Sequence, residues 1–259
     1  MHRKCVQWTG GREQMAVDLL LEGGRMIVSP TKVGYIIMTT DIGGLTRMFF
    51  FEEASSQQAR RRAVRVDGAA SATLDAERRN RRVLSDGVGQ RVLLGCILPW
   101  KADAKEHIPH DGSESLMMDQ RSTSCFVVKF GAPSELITRA LWEDHGTLTF
   151  ASSANPSGKG NSGRVDGIGG CIHNEADLVI AADDYVRGIQ PGANDKTRYE
   201  QGVMVSMVDA DGRLIPEQRG ERSIQAGPVV IRKGLDLERI LLLLSTIYPS
   251  WDYRHGTYY

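Results

Sequence analysis

The stretch EGGRMIVSPTKVGYII, residues 22–37, decides the architecture. Just before it, residues 13–21 place Met15, Val17, Leu19, Leu20 and Leu21 mostly at helical spacing. Gly23-Gly24 is a stop that a helix C-terminus accepts, because glycine enters the left-handed conformation at little cost. Met26-Ile27-Val28 then reads as a short buried strand, and Pro30-Thr31 as a turn. Helix, stop and buried strand in direct succession belong to an α/β domain.

Working outward, residues 42–51 are apolar again and predict a helix after a Gly43-Gly44 break. Residues 92–98, bounded by Pro99, read as a strand or a short buried helix. Residues 101–120 are polar and loop-like, with His107 and His110. Residues 124–130 are rich in β-branched and aromatic side chains and predict a strand. Residues 134–145 predict a helix capped by Ser134, with Leu136, Ile137, Ala140 and Leu141 on one face and Gly146 at its end. Further strands are expected at 147–151, 176–180, 202–208 and 229–231, with a turn at Asp209-Ala210-Asp211-Gly212, and a closing amphipathic helix at 237–247. Because the elements interleave without regular βαβ spacing, the expected fold is α/β, one large twisted mixed sheet with flanking helices.

A chain of 259 residues is long enough for one full core, and the expectation is a single domain over 1–259. It carries an Arg-rich excursion at 52–92 and an aromatic tail at 248–259, whose Trp251 and Tyr253 are the expected anchors, with Arg254 and His255 as pocket contacts. Lys plus Arg and Asp plus Glu are both 32, so net charge announces neither nucleic acid nor membrane. Cys5, Cys96, Cys125 and Cys171 lack zinc-site spacing, and Cys96 and Cys125 lie in apolar runs as core residues do. The N-terminus has no apolar leader region, and no apolar run spans a bilayer. The expectation is a cytoplasmic chain with no metal site of its own.

A second stretch, FASSANPSGKGNSG, residues 150–163, follows an apolar run. Small residues let a backbone approach a phosphate closely, and Ser152, Ser153, Asn155, Ser157 and Lys159 add donors. The competing reading is a Ser/Gly/Asn/Pro surface loop.

Together the two stretches resemble the YrdC-like family of threonylcarbamoyl-AMP synthases. That family opens with a helix ending in Gly-Gly and a strand running into Pro-Thr-(acid)-Thr-x-Tyr-Gly, and later carries Ser-Ala-Asn-x-Ser-Gly. Here residues 153–158 match the second motif in full. Pro30, Thr31 and Tyr35 match the first, while Lys32, Val33 and Ile36 replace its acid, second threonine and glycine. Residues 230–234, Val-Ile-Arg-Lys-Gly, are similar to the family's late strand ending in Arg-Pro-Gly. The resemblance covers about residues 14–37 and 121–245.

The resemblance implies a concave sheet face that holds nucleotide, and condensation of L-threonine, bicarbonate and ATP, with Mg²⁺, to threonylcarbamoyl-AMP and pyrophosphate. Such a reaction depends on placement and fixed positive charge more than on a general base. By motif match Ser153, Asn155, Ser157 and Lys159 hold the nucleotide, Thr31, Tyr35 and Thr123 line the substrate pocket, and Thr31, Lys129 and Arg232 carry the catalytic roles. Each has a plainer alternative: Thr31 a turn hydroxyl, Tyr35 a core residue, Lys129 a solvated charge, Arg232 a partner of Asp236 or Glu238. The family's Lys-x-Arg-Pro segment is missing; Arg60-Arg61-Arg62 is a candidate substitute source of charge in that region, the alternative being a solvated arginine-rich helix face.

Three readings follow. One is the carbamoyl-adenylate synthase of tRNA modification. Another is a divergent carboxylating or carbamoyl-transferring enzyme acting on another amine. The third is a non-catalytic nucleotide- or RNA-binding protein. Expected partners are the amino acid, bicarbonate and ATP, with a tRNA-modification protein, RNA or a second copy of the chain as further candidates, and no membrane.

Overall fold

The computed structural model describes residues 5–53, 65–67, 92–156, 160–194, 200–218 and 227–249, with backbone alone for 51–53 and 65–67. Among them are ten strands: β1 (Cys5–Gln7), β2 (Ile27–Thr31), β3 (Gly34–Thr39), β4 (Arg65–Asp67), β5 (Leu94–Pro99), β6 (Thr123–Val128), β7 (Thr149–Ser153), β8 (Leu178–Ala181), β9 (Val203–Ser206) and β10 (Val229–Arg232). The helices are α1 (Gln14–Leu21), α2 (Ile42–Glu53), the single turns α3 (Ala102–Lys105) and α4 (Glu114–Met117), α5 (Ser134–His145), α6 (Gly170–Glu175), α7 (Asp183–Ile189) and α8 (Leu237–Ile247). All ten strands join one sheet in the order β1-β8-β2-β3-β7-β4-β6-β5-β9-β10. Pairing is mixed, parallel for β1–β8 and β5–β9, antiparallel for β2–β3, β3–β7 and β5–β6. The fold is therefore the mixed sheet with flanking helices that the sequence implies.

Alternation along each strand divides the core between two sheet faces. On one, Met26, Val28, Tyr35, Ile37, Phe126 and Phe150 pack with Leu45 and Met48 of α2, Val186 of α7, and Ile240 and Leu244 of α8. On the other, Ile27, Ile36, Met38, Cys125, Val127, Ala151 and Met204 pack with Ala16, Val17 and Leu20 of α1 and Ile137, Ala140 and Leu141 of α5. Helix α1 packs on α5, and α5 on β2. Cys96 and Cys125 are both buried, as their apolar settings imply.

Several local expectations change. Pro30 and Thr31 belong to β2, and the reversal falls on Lys32 and Val33, because Thr31 and Gly34 close the β2–β3 ladder. Gly43-Gly44 is no break: the amide of Gly44 donates to Asp41 Oδ1 (2.9 Å) and the amide of Leu45 to the Asp41 carbonyl (2.9 Å), so Asp41 starts α2 and both glycines lie in its first turn. A Cβ on Gly44 would collide with Thr39 Oγ1, which explains the glycine there. Ser134 does not cap α5. Its hydroxyl donates to the Pro30 carbonyl (2.7 Å) and pairs with Ser29 Oγ (2.8 Å), tying the helix to β2. Gly146 ends that helix in the left-handed conformation, φ 64°, as expected.

Asp177 closes the start of β2. It accepts from the Met26 amide (2.8 Å), Arg25 (3.2 Å) and Arg47 of α2 (2.8 Å). Burial opposes its ionisation, but the Met26 amide and the two guanidinium groups hold its carboxyl below the usual carboxylate range. The aromatic tail begins inside the core: Tyr248 is fully buried, its hydroxyl 3.5 Å from the Ile215 carbonyl. Trp251, Tyr253, Arg254 and His255 lie outside the described residues, as does the Arg-rich excursion apart from 52–53, 65–67 and 92. Among the described residues no helix is long and apolar enough to cross a membrane.

Tyr35 joins β3 to α7. Its hydroxyl donates to Asp183 Oδ1 (2.5 Å) and accepts from the Ala182 amide (2.9 Å), while the same carboxylate oxygen accepts from the Val165 amide (3.0 Å). Tyr35→Phe strands these partners and should cost about 1–3 kcal/mol in urea unfolding. Burial, reinforced by the Asp183 carboxylate, pushes the phenol above the ordinary tyrosine range. The unfolded chain ionises near pH 10 while the folded one stays neutral, so stability falls as pH rises beyond about 10. Tyr35→Phe should remove part of that alkaline loss, read as a shallower decline of unfolding midpoint with pH.

Candidate functional site

Where β6, β5, β9 and β10 run beside the β2–β3 hairpin, the sheet face that carries α1 and α5 holds a narrow cleft whose enclosed space, about 10 Å³, is room for about one water. The hairpin contributes Thr31, Val33 and Ile36, β5 and its approach contribute Leu93 and Gly95, and β6 and its exit contribute Val127 and Phe130. Gly202, Val203 and Met204 form the far wall with Arg232 of β10. Carbon surface dominates, with Arg232 as the cation among these lining groups.

Thr31 is 1 % exposed and its hydroxyl is engaged within its own turn, donating to the Gly34 carbonyl (2.8 Å) and accepting from the Val33 amide (3.3 Å). It thus lines the cleft and also fills the turn-hydroxyl role. Arg232 donates from Nε to the Gly202 carbonyl (2.9 Å), which fixes its stem against the wall. Its expected partner Asp236 instead pairs with Arg239 (3.3 Å).

Lys129 leaves β6 in the left-handed conformation, φ 56°. The chain reverses there, and the Phe130 carbonyl accepts from the Lys32 amide (2.8 Å), locking the end of β6 to the hairpin turn. Burial lowers the Lys32 ammonium below the ordinary lysine range; Glu135 and Asp236 oppose the shift, and Lys129 and Arg239 add to it. Two lysines therefore repel each other beside an apolar cleft. Lys32 was not among the residues singled out in sequence, where it appeared only as a substitution for the motif's acid.

The two motif stretches meet. Ser153 pairs with Ile36 in the β3–β7 ladder and so faces the cleft side of the sheet. The chain then folds over the hairpin: the Tyr35 carbonyl accepts from the Ala154 amide (2.9 Å) and from Asn161 Nδ2 (3.2 Å), and Asn161 Oδ1 accepts from the Gly163 amide (3.0 Å). Asn155 donates from Nδ2 to the Pro156 carbonyl (3.1 Å), in a half-buried position. Ser157 and Lys159 lie outside the described residues.

Two expected positions fall elsewhere. The Tyr35 side chain points to the opposite sheet face, because one step along a strand reverses direction and Ile36 occupies the cleft side. Thr123 stands at the far end of β6, paired with Pro99, four residues or about 13 Å along the strand from Val127. Its amide donates to Asp119 (3.0 Å) and it is not a lining residue. Asn161, Gly34 and Asp183 were missed: Asn161 is one of several interchangeable loop residues in sequence, and its role depends on a partner 126 positions away.

No protein-family model matches the sequence, and comparison with curated proteins gives no match. Among solved structures, a hypothetical protein from Streptococcus mutans UA159, smu.1377c, is 45 % identical over 100 % of both chains with a TM-score of 0.90. P. abyssi Sua5 complexed with L-threonine is 16 % identical over 98 % of this chain and 67 % of its own, TM-score 0.60. E. coli YciO is 15 % identical over 89 % of this chain and 94 % of its own, TM-score 0.58. The last two share the YrdC-like fold.

Gly34 is where loop and hairpin touch. Its φ is +116°, and a Cβ there would overlap the Asn161 side chain. Gly34→Ala should therefore release the loop, lowering stability by about 1–3 kcal/mol. Limited proteolysis should show faster cleavage within 154–163, while cleavage around α5 stays at the wild-type rate.

Proposed function

The chain belongs to the family of the streptococcal hypothetical protein smu.1377c and has the YrdC-like fold, and on that premise we propose that it is a nucleotide-utilising synthase. In this reading an amino acid and bicarbonate give a carbamate and water, and a carbamate oxygen attacks the α-phosphorus of ATP to yield a carbamoyl-adenylate and pyrophosphate, with L-threonine the default amine and tRNA modification the destination. Fold alone does not carry such a function. The supporting observation is the docking of the Ser153-Ala154-Asn155 segment onto the Thr31–Tyr35 hairpin beside the cleft, through the Ala154 and Asn161 bonds to the Tyr35 carbonyl.

The residues fit an anion. Small and amide-rich backbone docks on the hairpin whose turn holds Lys32, Lys129 acts on Lys32 from the end of β6, and Arg232 lines the cleft, a set of cations that in this reading attracts phosphate oxygens. Ser153 and Asn155 hold the nucleotide in this reading, together with the motif residues Ser157 and Lys159. In this reading Mg²⁺ arrives bound to the triphosphate. Carbamate formation and adenylyl transfer then rest on positioning and fixed charge, with Thr31 fixing the turn and Lys129 and Arg232 offsetting charge.

Asn155→Ala should weaken binding of MgATP by roughly 1.5–3 kcal/mol in calorimetric titration, the scale of a hydrogen bond to a charged group. The wild-type chain with ATP, Mg²⁺, bicarbonate and the twenty common amino acids should release pyrophosphate. No release above background with any of them would leave nucleotide or RNA binding without turnover as the better reading.

A further inference from the structure

We propose that Phe130 is a stopper carried on a hinged turn, residues 129–131, and that the cleft opens when this turn swings off the β2–β3 hairpin. The inference stands on the geometry of the cleft, and it holds or fails independently of the synthase chemistry.

The closed cleft has room for about one water, so a larger ligand enters only when part of the wall moves. Most of that wall is held by sheet pairing: Gly95 and Val127 in the β5–β6 ladder, Met204 in β5–β9 and Ile36 in β3–β7. Phe130 is different. It lies two residues past the end of β6 and supplies the one aromatic ring among the lining side chains. That ring is almost wholly covered, at 6 % exposure.

The backbone on either side of the ring carries the hinge. Lys129 at φ 56° and Gly131 at φ 102° both occupy the left-handed region. Such a conformation is costly for a lysine, and residues held in it collect at ligand clamps and switch segments. Glycine is required at 131, because a Cβ there would overlap the Tyr185 hydroxyl. The latch is the Lys32 amide, which donates to the Phe130 carbonyl (2.8 Å) and ties the turn to the hairpin. Beneath the ring, Gly95 brings no side chain to the floor, although a Cβ there would meet only Cys125 Sγ at 3.4 Å, an ordinary contact. A glycine inside a strand is one mark of a place where a ligand comes close to the backbone.

Two buried thiols report the opening. Cys125 belongs to the core on the cleft's side of the sheet and Cys96 to the core on the other side. The native chain is alkylated with N-ethylmaleimide at urea concentrations below the unfolding transition, and the rate at each cysteine is read by peptide mass spectrometry. A local opening exposes little surface and responds weakly to urea, whereas global unfolding responds steeply. Cys125 should react at least about 10-fold faster than Cys96, with the shallower urea dependence. Phe130→Leu should raise the Cys125 rate by about 5- to 30-fold. Ile240→Val, in the core of the opposite face, should accelerate Cys96 and leave Cys125 at its wild-type rate. Equal rates and equal urea dependence at the two cysteines of the wild-type chain overturn the inference. So does a Cys125 rate that Phe130→Leu leaves unchanged, or one that Ile240→Val raises in step with Cys96.

Discussion

Tyr35 is the point on which the arrangement turns, because its two polar groups point in different directions. The phenol crosses one face of the sheet to Asp183 and the Ala182 amide. The carbonyl lies in the sheet plane and receives the Ala154 amide and the Asn161 side chain. One residue thus fixes the hairpin to α7 and fixes the loop after β7 to the hairpin. A buried phenol and carbonyl left without partners would be costly, so the surrounding segments are held where they are by the need to satisfy them. The cleft inherits its shape from that constraint: Val33 and Ile36 can line it only because Tyr35 is anchored on the far side.

The cleft joins two kinds of surface that ordinarily repel each other. Its walls are carbon, and beside them stands Lys32, whose charge is disfavoured first by burial and further by the nearby Lys129 ammonium. An anion placed beside Lys32 would offset both the lost hydration and the repulsion. Arg232, braced through Nε on the Gly202 carbonyl, keeps a guanidinium in the wall without a flexible stem.

Much of the scaffold was readable. Helix α5 and helix α8 coincide with the expected 134–145 and 237–247, since their apolar periodicity is long and Gly146 marks one end. The strands carrying β-branched runs, β6, β9 and β10, were legible for the same reason. The helix boundary at Gly43-Gly44 was misread because glycine pairs mark stops in sequence, whereas here the close approach of Thr39 demanded a residue without a Cβ. Ser134 was misread as a cap because a serine before an apolar helix has that meaning locally, and its partners, Ser29 and Pro30, come from more than a hundred positions earlier. Of the residues singled out in sequence, Thr31 and Arg232 line the cleft and Ser153 faces its side of the sheet. Lys32, Gly34 and Asn161 were not, because what they do exists only between segments.

The sequence by itself determined the class of element along the longer periodic runs, the mixed character of the sheet and the two stretches whose chemistry suits an anion, because periodicity and side-chain type act over a few neighbours. The tertiary structure decided which faces meet. Strand register sent Tyr35 into the core and Ile36 to the cleft, moved Thr123 beyond reach, and brought Asn161 over Gly34. A period of two assigns residues to alternate faces but does not say which face becomes a site; that follows from the pairing of β3 with β7 and of β5 with β9, in which distant segments satisfy each other's hydrogen bonds.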